Sequence, residues 1–119
     1  MTSLKTKVST PLWRECMAFY SSVFGMVVAE QWEERDDQGA ILAFANGRGE
    51  AYLELYQADR AYDVSGISLQ FRVPDLQTFL QSLPIGLEYE GPRLRPWGST
   101  YVYLRDPAGV PVIVYEGSL

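Results

Sequence analysis

The pattern of elements in this sequence occurs twice. Read for hydrophobic period and turn chemistry, it runs strand, helix, three strands, and then strand, helix, three strands again. Neither half has enough apolar sequence to cover a sheet of its own, so the two copies are expected to pair, within one chain or across a dimer. Sliding AILAFANGRGEAYLELY over TYVYLRDPAGVPVIVYE without a gap matches strand to strand and turn to turn, with Gly49 on Gly109.

In the first copy, KTKVS alternates as a short strand with Lys5, Lys7 and Ser9 on one face. TPLWRECMAFYSSVFG follows, with Thr10 as N-cap candidate, proline at the first helical position and Gly25 as the stop. Leu12, Cys16, Phe19, Tyr20 and Val23 recur at three- and four-residue steps and predict one buried helical face. MVVAEQWE, AILAFA and AYLELYQ then read as strands, the last two joined by an NGRG turn.

In the second copy, ISLQFRV is a strand and PDLQTFLQSL a short helix marked by Leu76, Phe79, Leu80 and Leu83. LEYEGPRLRP is an edge or bent strand, broken by Gly91 and Pro92. The stretch from Tyr101 to Glu116 supplies the last two strands. The modules are expected at about residues 4–58 and 65–117 of a single domain, 1–119. The fold class is α+β.

Composition narrows the chemistry. The chain contains no histidine, so a Ser-His-Asp triad is impossible and any metal site would be built from carboxylates and other oxygens. The single cysteine, Cys16, excludes an internal disulfide and is expected to be a buried structural thiol. A net charge of −5 without a basic cluster argues against nucleic acid as partner. No stretch approaches the roughly 20 apolar residues of a membrane helix, so no membrane partner and a cytoplasmic location are the expectations.

FYSSVFGM (residues 19–26) resembles the FY-x-x-x-LG signature, and DPAGVPVIVYE (106–116) the DP-x-G hairpin, of the vicinal oxygen chelate superfamily. That group contains glyoxalase I, extradiol dioxygenases, fosfomycin-resistance enzymes and bleomycin-resistance proteins. The resemblance implies two tandem βαβββ modules whose mixed sheets curl around a cleft, with the helices outside. Metal-using members set four ligands, usually two His and two Glu, on the inner strand faces. Counted from the motifs, those positions fall on Lys5, Glu54, Ser68 and Ile113, and the gapless self-alignment would substitute Val114 for Ile113. One carboxylate beside an ammonium does not satisfy a divalent ion, so no metal and no cofactor are expected.

If Glu54 faces inward, strand parity sets Tyr52 and Tyr56 beside it and sends Leu53 and Leu55 to the core. By the same parity Ser68, Gln70, Tyr101 and Tyr103 face in, while Ile67, Leu69, Phe71, Val102 and Leu104 face the core. Lys5 is expected to pair with Glu54, and Glu116 to lie on the face opposite Ile113. Trp97, in a WG pair resembling the bleomycin-resistance branch, joins the ligand-binding candidates Lys5, Lys7, Tyr52, Glu54, Tyr56, Ser68, Gln70, Tyr101 and Tyr103. Trp97 reads equally as a plug or a dimer seam.

The acidic run EERDD (33–37) reads most simply as a solvated loop, and Arg93 and Arg95 as edge-strand charges. The expected function is metal-independent binding of an aromatic or cationic small molecule by a homodimer. The alternative is a metal-free isomerase or lyase with Glu54 as general base.

Overall fold

The computed structural model describes residues 2–46 and 51–119. Two compact units divide the chain, one ending at Tyr62 and the other beginning at Asp63. Each is a βαβββ module.

The first unit comprises β1 (Leu4–Thr10), α1 (Trp13–Phe24), β2 (Val27–Glu34), β3 (Asp37–Ala43) and β4 (Ala51–Gln57). Its sheet has the order β1-β4-β3-β2, with β1 parallel to β4 and the other neighbours antiparallel. Helix α1 packs on β3 and β4. Trp13, Cys16 and Tyr20 are fully buried beneath it, against Ala40, Leu42, Leu53 and Leu55 from the sheet. Each large apolar side chain buried there contributes roughly 1.5–3 kcal/mol.

The helix begins later than its sequence signals indicate. Thr10 is the last residue of β1, and its hydroxyl accepts from the Leu12 N–H at 3.0 Å, so it shapes the turn before the helix instead of capping it. Leu12 is the N-cap, without a side-chain cap, and Pro11 lies in the turn. The buried stripe therefore starts at Trp13 and leaves Leu12 41% exposed. Gly25 ends the helix as expected, in the left-handed conformation at φ 66° that costs a residue without Cβ little.

The acidic run is a hairpin and not a loop: Glu33 and Glu34 belong to β2, Asp37 opens β3, and Glu34 pairs with Asp37 across a two-residue turn. Most of the NGRG turn, including Gly49, lies outside the described residues.

The second unit comprises β5 (Leu69–Arg72), α2 (Leu76–Gln81), β6 (Glu90–Leu94), β7 (Thr100–Arg105) and β8 (Pro111–Glu116), in the sheet order β5-β8-β7-β6. It repeats the directions of the first: β5 runs parallel to β8, and β7 antiparallel to both β8 and β6. Val102, Val112 and Val114 are fully buried in its core, with Leu76 and Phe79 of α2 buried as well. Asp75 caps α2 through its carboxylate, which accepts from the Gln77 and Thr78 N–H groups. A second carboxylate, that of Glu116, accepts from the Leu76 N–H at 3.1 Å. Glu116 thus lies on the helix side of β8, as its odd spacing from Ile113 requires.

Strand β5 is shorter than ISLQFRV suggests. Ile67 is 53% exposed and not in the core, because the alternation begins only at Leu69 and Ile67 closes a turn on the Val64 carbonyl. β6 is an edge strand, as expected, and its register shifts between Glu90 and Arg93 where Gly91 and Pro92 interrupt it.

Candidate functional site

Both recognition motifs prove to be devices of folding. In FYSSVFG, Phe19 and Tyr20 are buried in edge-to-face contact with ring centroids 5.0 Å apart, and Gly25 terminates the helix. In DPAG, the Asp106 carboxylate accepts from the N–H groups of Ala108 and Val110, both at 2.9 Å, and Gly109 takes φ 87°. These residues shape the strand ends; other positions line the faces.

In the first unit the register sets Lys5 beside Tyr52, Lys7 beside Glu54 and Ser9 beside Tyr56, on the sheet face away from α1. Leu53 and Leu55 point the other way and are buried. The Lys5 ammonium stands 3.3 Å from the Glu54 carboxylate, the expected pair, with side-chain exposures of 50% and 11%. The pair is therefore asymmetric: a nearly buried carboxylate is served by a cation at the water boundary. Lys7 lies over the Tyr56 ring, 4.2 Å from its centroid.

Two residues on this face were not among the candidates. Trp32 meets Tyr56 with ring centroids 6.4 Å apart, and its indole N–H donates to Asp37 at 2.7 Å. Gly39, opposite Trp32, makes room for it, since a Cβ there would stand 2.7 Å from the Leu55 carbonyl oxygen and 2.9 Å from the indole ring. The same Asp37 carboxylate, hydrogen-bonded to the Tyr56 hydroxyl, raises the Tyr56 pKa above the ordinary phenol value, with burial adding to it. The signal for this cluster was the WEERDD stretch itself, a tryptophan followed five residues later by an aspartate across a tight turn.

In the second unit Gln70, Ile113 and Tyr103 stand in one row across β5, β8 and β7, and Arg72, Tyr115 and Tyr101 in the next. Tyr101 is central, with ring centroids 6.0 Å from Tyr103 and 5.6 Å from Tyr115. Ser68 lies just before β5, exposed, with its hydroxyl 3.3 Å from the Gln70 amide nitrogen. Val114 is fully buried on the opposite face, so the gapless alignment that selects it is one residue out of register and the motif count selecting Ile113 has the right parity.

Trp97 rises from the β6–β7 turn. The Arg95 N–H donates to the Ser99 carbonyl at 2.7 Å, the Gly98 N–H donates to the Arg95 carbonyl at 3.0 Å, and Gly98 takes φ 93°. Ser99, fully buried, anchors the turn through its hydroxyl to the Ser118 carbonyl. Trp97 is 48% exposed and meets Tyr101 edge-on at 5.8 Å, and the Arg95 guanidinium lies 4.9 Å from the indole centroid.

A metal does not fit the four positions implied by the resemblance. The first unit brings one carboxylate already engaged by an ammonium; the second brings one hydroxyl and a hydrocarbon. A divalent ion takes about six oxygen ligands. Among the described residues no three His, Cys, Asp or Glu side chains gather closely enough to hold a metal ion. Nor is any helix among them long and apolar enough to cross a membrane.

Solved structures with this architecture are numerous and distant in sequence. TnmS3, an antibiotic binding protein from Streptomyces sp. CB03234, superposes with a TM-score of 0.79 at 18% identity, over 99% of this chain and 96% of that one. A glyoxalase/bleomycin resistance protein from the same organism gives a TM-score of 0.72 at 17% identity, over 95% and 98%. The fosfomycin resistance protein FosX from Listeria monocytogenes gives 0.76 at 12% identity, over 100% and 94%. Among curated proteins compared by sequence, none matches. At these identities the superpositions speak for the fold, and the sequence itself matches a family model across residues 10–114. With the doubled module, the FY and DP-x-G motifs and that match in agreement, the chain belongs to the Glyoxalase/Bleomycin resistance protein/Dioxygenase superfamily.

Proposed function

We propose that this protein binds a small molecule without a metal, each unit offering an aromatic ligand a tyrosine-rich sheet face, with Tyr52 and Tyr56 on the first and Tyr101 and Tyr103 on the second. The observation that carries this reading is the Lys5 ammonium 3.3 Å from Glu54. Where metal-using relatives set a cation among carboxylates, this chain supplies its own positive charge, and Glu54 keeps a partner without an ion. The remaining candidates suit ring contact and hydrogen bonding more than Lewis-acid chemistry: Lys7, Ser68 and Gln70 offer polar groups, and the tyrosines offer flat surface with a hydroxyl at the end. The Streptomyces and Listeria neighbours, named for antibiotic binding and fosfomycin resistance, make a small organic ligand the natural class. A twofold homodimer in the cytoplasm completes the reading.

The catalytic alternative assigns Glu54 as general base. Its carboxylate is engaged by Lys5 and would have to leave that ammonium to reach a substrate proton. Titration of the purified protein with manganese, zinc and magnesium, followed by calorimetry, tests the first point. Binding weaker than about millimolar is expected, as for carboxylates on a protein surface. A stoichiometric site with submicromolar Kd that Glu54→Gln abolishes would overturn the reading. With a ligand in hand, Glu54→Gln is expected to change affinity by about tenfold or less; loss of a measured turnover would favour the enzyme.

A further inference from the structure

We infer that the Trp97 corner of the second unit recognises the anionic end of a planar aromatic ligand, a carboxylate or an equivalent acid group. This rests on the proposed role of the tyrosine face, and it departs from the sequence expectation that the ligand is equally well cationic.

The first observation is charge. On β6 and just beyond it, Arg93 and Arg95 stand beside the tyrosine row, with their guanidinium carbons 5.5 Å from the Tyr103 centroid and 4.9 Å from the Trp97 centroid. The ion pairs among the described residues are Lys5 with Glu54 and Arg14 with Glu33, so neither Arg93 nor Arg95 is paired with a carboxylate among them. Glu90, the carboxylate of β6, is opposite Tyr103, exposed, and makes no ion pair with either of them. A protein with net charge −5 thus keeps a positive corner at its most aromatic point. A cationic ligand would meet ring faces already taken by guanidinium groups, and would be repelled by them.

The second observation is an unmet hydrogen bond. The Nε of Arg95 is buried and donates to no protein group. A buried donor without an acceptor is destabilising, and a turn of the guanidinium that uncovers Nε presents it with a terminal N–H as a fork that matches the two oxygens of a carboxylate. The third is rigidity. Trp97 and Arg95 belong to one tight turn closed by three backbone and side-chain hydrogen bonds, through Ser99, Gly98 and the Ser118 carbonyl. The backbone under the indole is thus fixed, and the ring itself rests against Tyr101 and the Arg95 guanidinium, so it loses less entropy than a free side chain when a flat ring stacks on it. The site is therefore an indole and Tyr101 for the ring, and the Arg95 fork for the acid.

Three probes of one shape separate the possibilities: 2-naphthoate, 2-naphthamide and 2-naphthylmethylammonium, titrated by calorimetry and by quenching of tryptophan fluorescence. The naphthoate is expected to bind about tenfold or more tightly than the amide, and the ammonium most weakly. Arg95→Gln is expected to bring the naphthoate down to about the affinity of the amide, with a much smaller loss for the amide itself. Trp97→Phe is expected to weaken all three and remove most of the quenching. Arg95→Lys, which keeps the charge and loses the fork, is expected to fall between; it reads the preference should the Gln variant melt early. Equal affinities, a preference for the ammonium, or a naphthoate preference that survives both Arg95 variants would overturn the inference while leaving the aromatic-binding reading standing. Failure of all three probes to bind at millimolar concentration would overturn both.

Discussion

The two units share one topology and use it differently. In the first, the strand next to β1 presents Glu54 on the face away from the helix, and an ammonium answers it. In the second, the corresponding strand presents Ile113 between Gln70 and Tyr103, and no charge stands at that point. The helices differ in the same spirit. The 12-residue α1 starts without a side-chain cap and is held by its buried face, whereas the six-residue α2 has carboxylates at its start from both Asp75 and Glu116. A helix of one and a half turns is below the length at which propagation offsets nucleation, so its ends must be fixed from outside. The two units keep one frame and one parity, and each meets its local electrostatics in its own way.

The comparison is most easily broken at β8. Val114→Glu should bury a charge in the core of the second unit and cost about 4 kcal/mol or more, whereas Ile113→Glu, one residue away on the other face, should cost less than about 1 kcal/mol. Urea unfolding of the two variants checks this, and equal losses would mean that the parity assigned to the strand is wrong. A smaller effect belongs to the ion pair. Lys5→Met leaves a nearly buried carboxylate alone and is expected to cost about 1–2 kcal/mol, most of it recovered in the Lys5→Met/Glu54→Leu double variant. Ser68→Ala, at the second unit's nearest counterpart, should be within about 0.5 kcal/mol of the parent. A double-mutant cycle on thermal or urea unfolding yields the coupling, and a value near zero would make the pair ornamental.

A further modest effect is at α2. Hydrogen bonds from the Thr78 hydroxyl, then from backbone N–H groups, hold the Asp75 pKa below the ordinary carboxylate value. A depressed folded-state pKa means that the carboxylate's contribution is present above the unfolded value and disappears as pH falls through the folded one. Asp75→Ala is accordingly expected to lower the melting temperature by a few degrees at pH 7 and less in acid. Asp75→Asn, which keeps an accepting oxygen, should lose little at pH 7 and flatten the acid limb. Melting curves across pH 2–7 distinguish the two.

Much of this frame was legible in the sequence, because period-two alternation is a direct record of which side is buried. Tyr52, Glu54 and Tyr56 on one side and Leu53 and Leu55 on the other follow from parity, whereas the pairing of Lys5 with Glu54 followed from the ligand positions that the resemblance implies. The errors lie where an element's end is decided by something other than period. Thr10 has the chemistry of a cap, but β1 extends through it to stay paired with Gln57, and the helix stripe slides to Trp13. Ile67 continues an alternating pattern into a segment with no strand partner. The Trp32, Asp37 and Tyr56 cluster was hidden because a run of acids looks solvated until its turn brings one of them under an indole.

The order of strands in each sheet has a consequence for how the molecule is made. In both units the strand synthesised last, β4 and then β8, is inserted between the first and the third. A nascent chain completes neither sheet before that strand emerges, because β1 and β5 have no neighbour until the closing strand leaves the ribosome. A chain ending before Pro111 would therefore lack the centre of its second sheet, not its margin, while the first could already be complete.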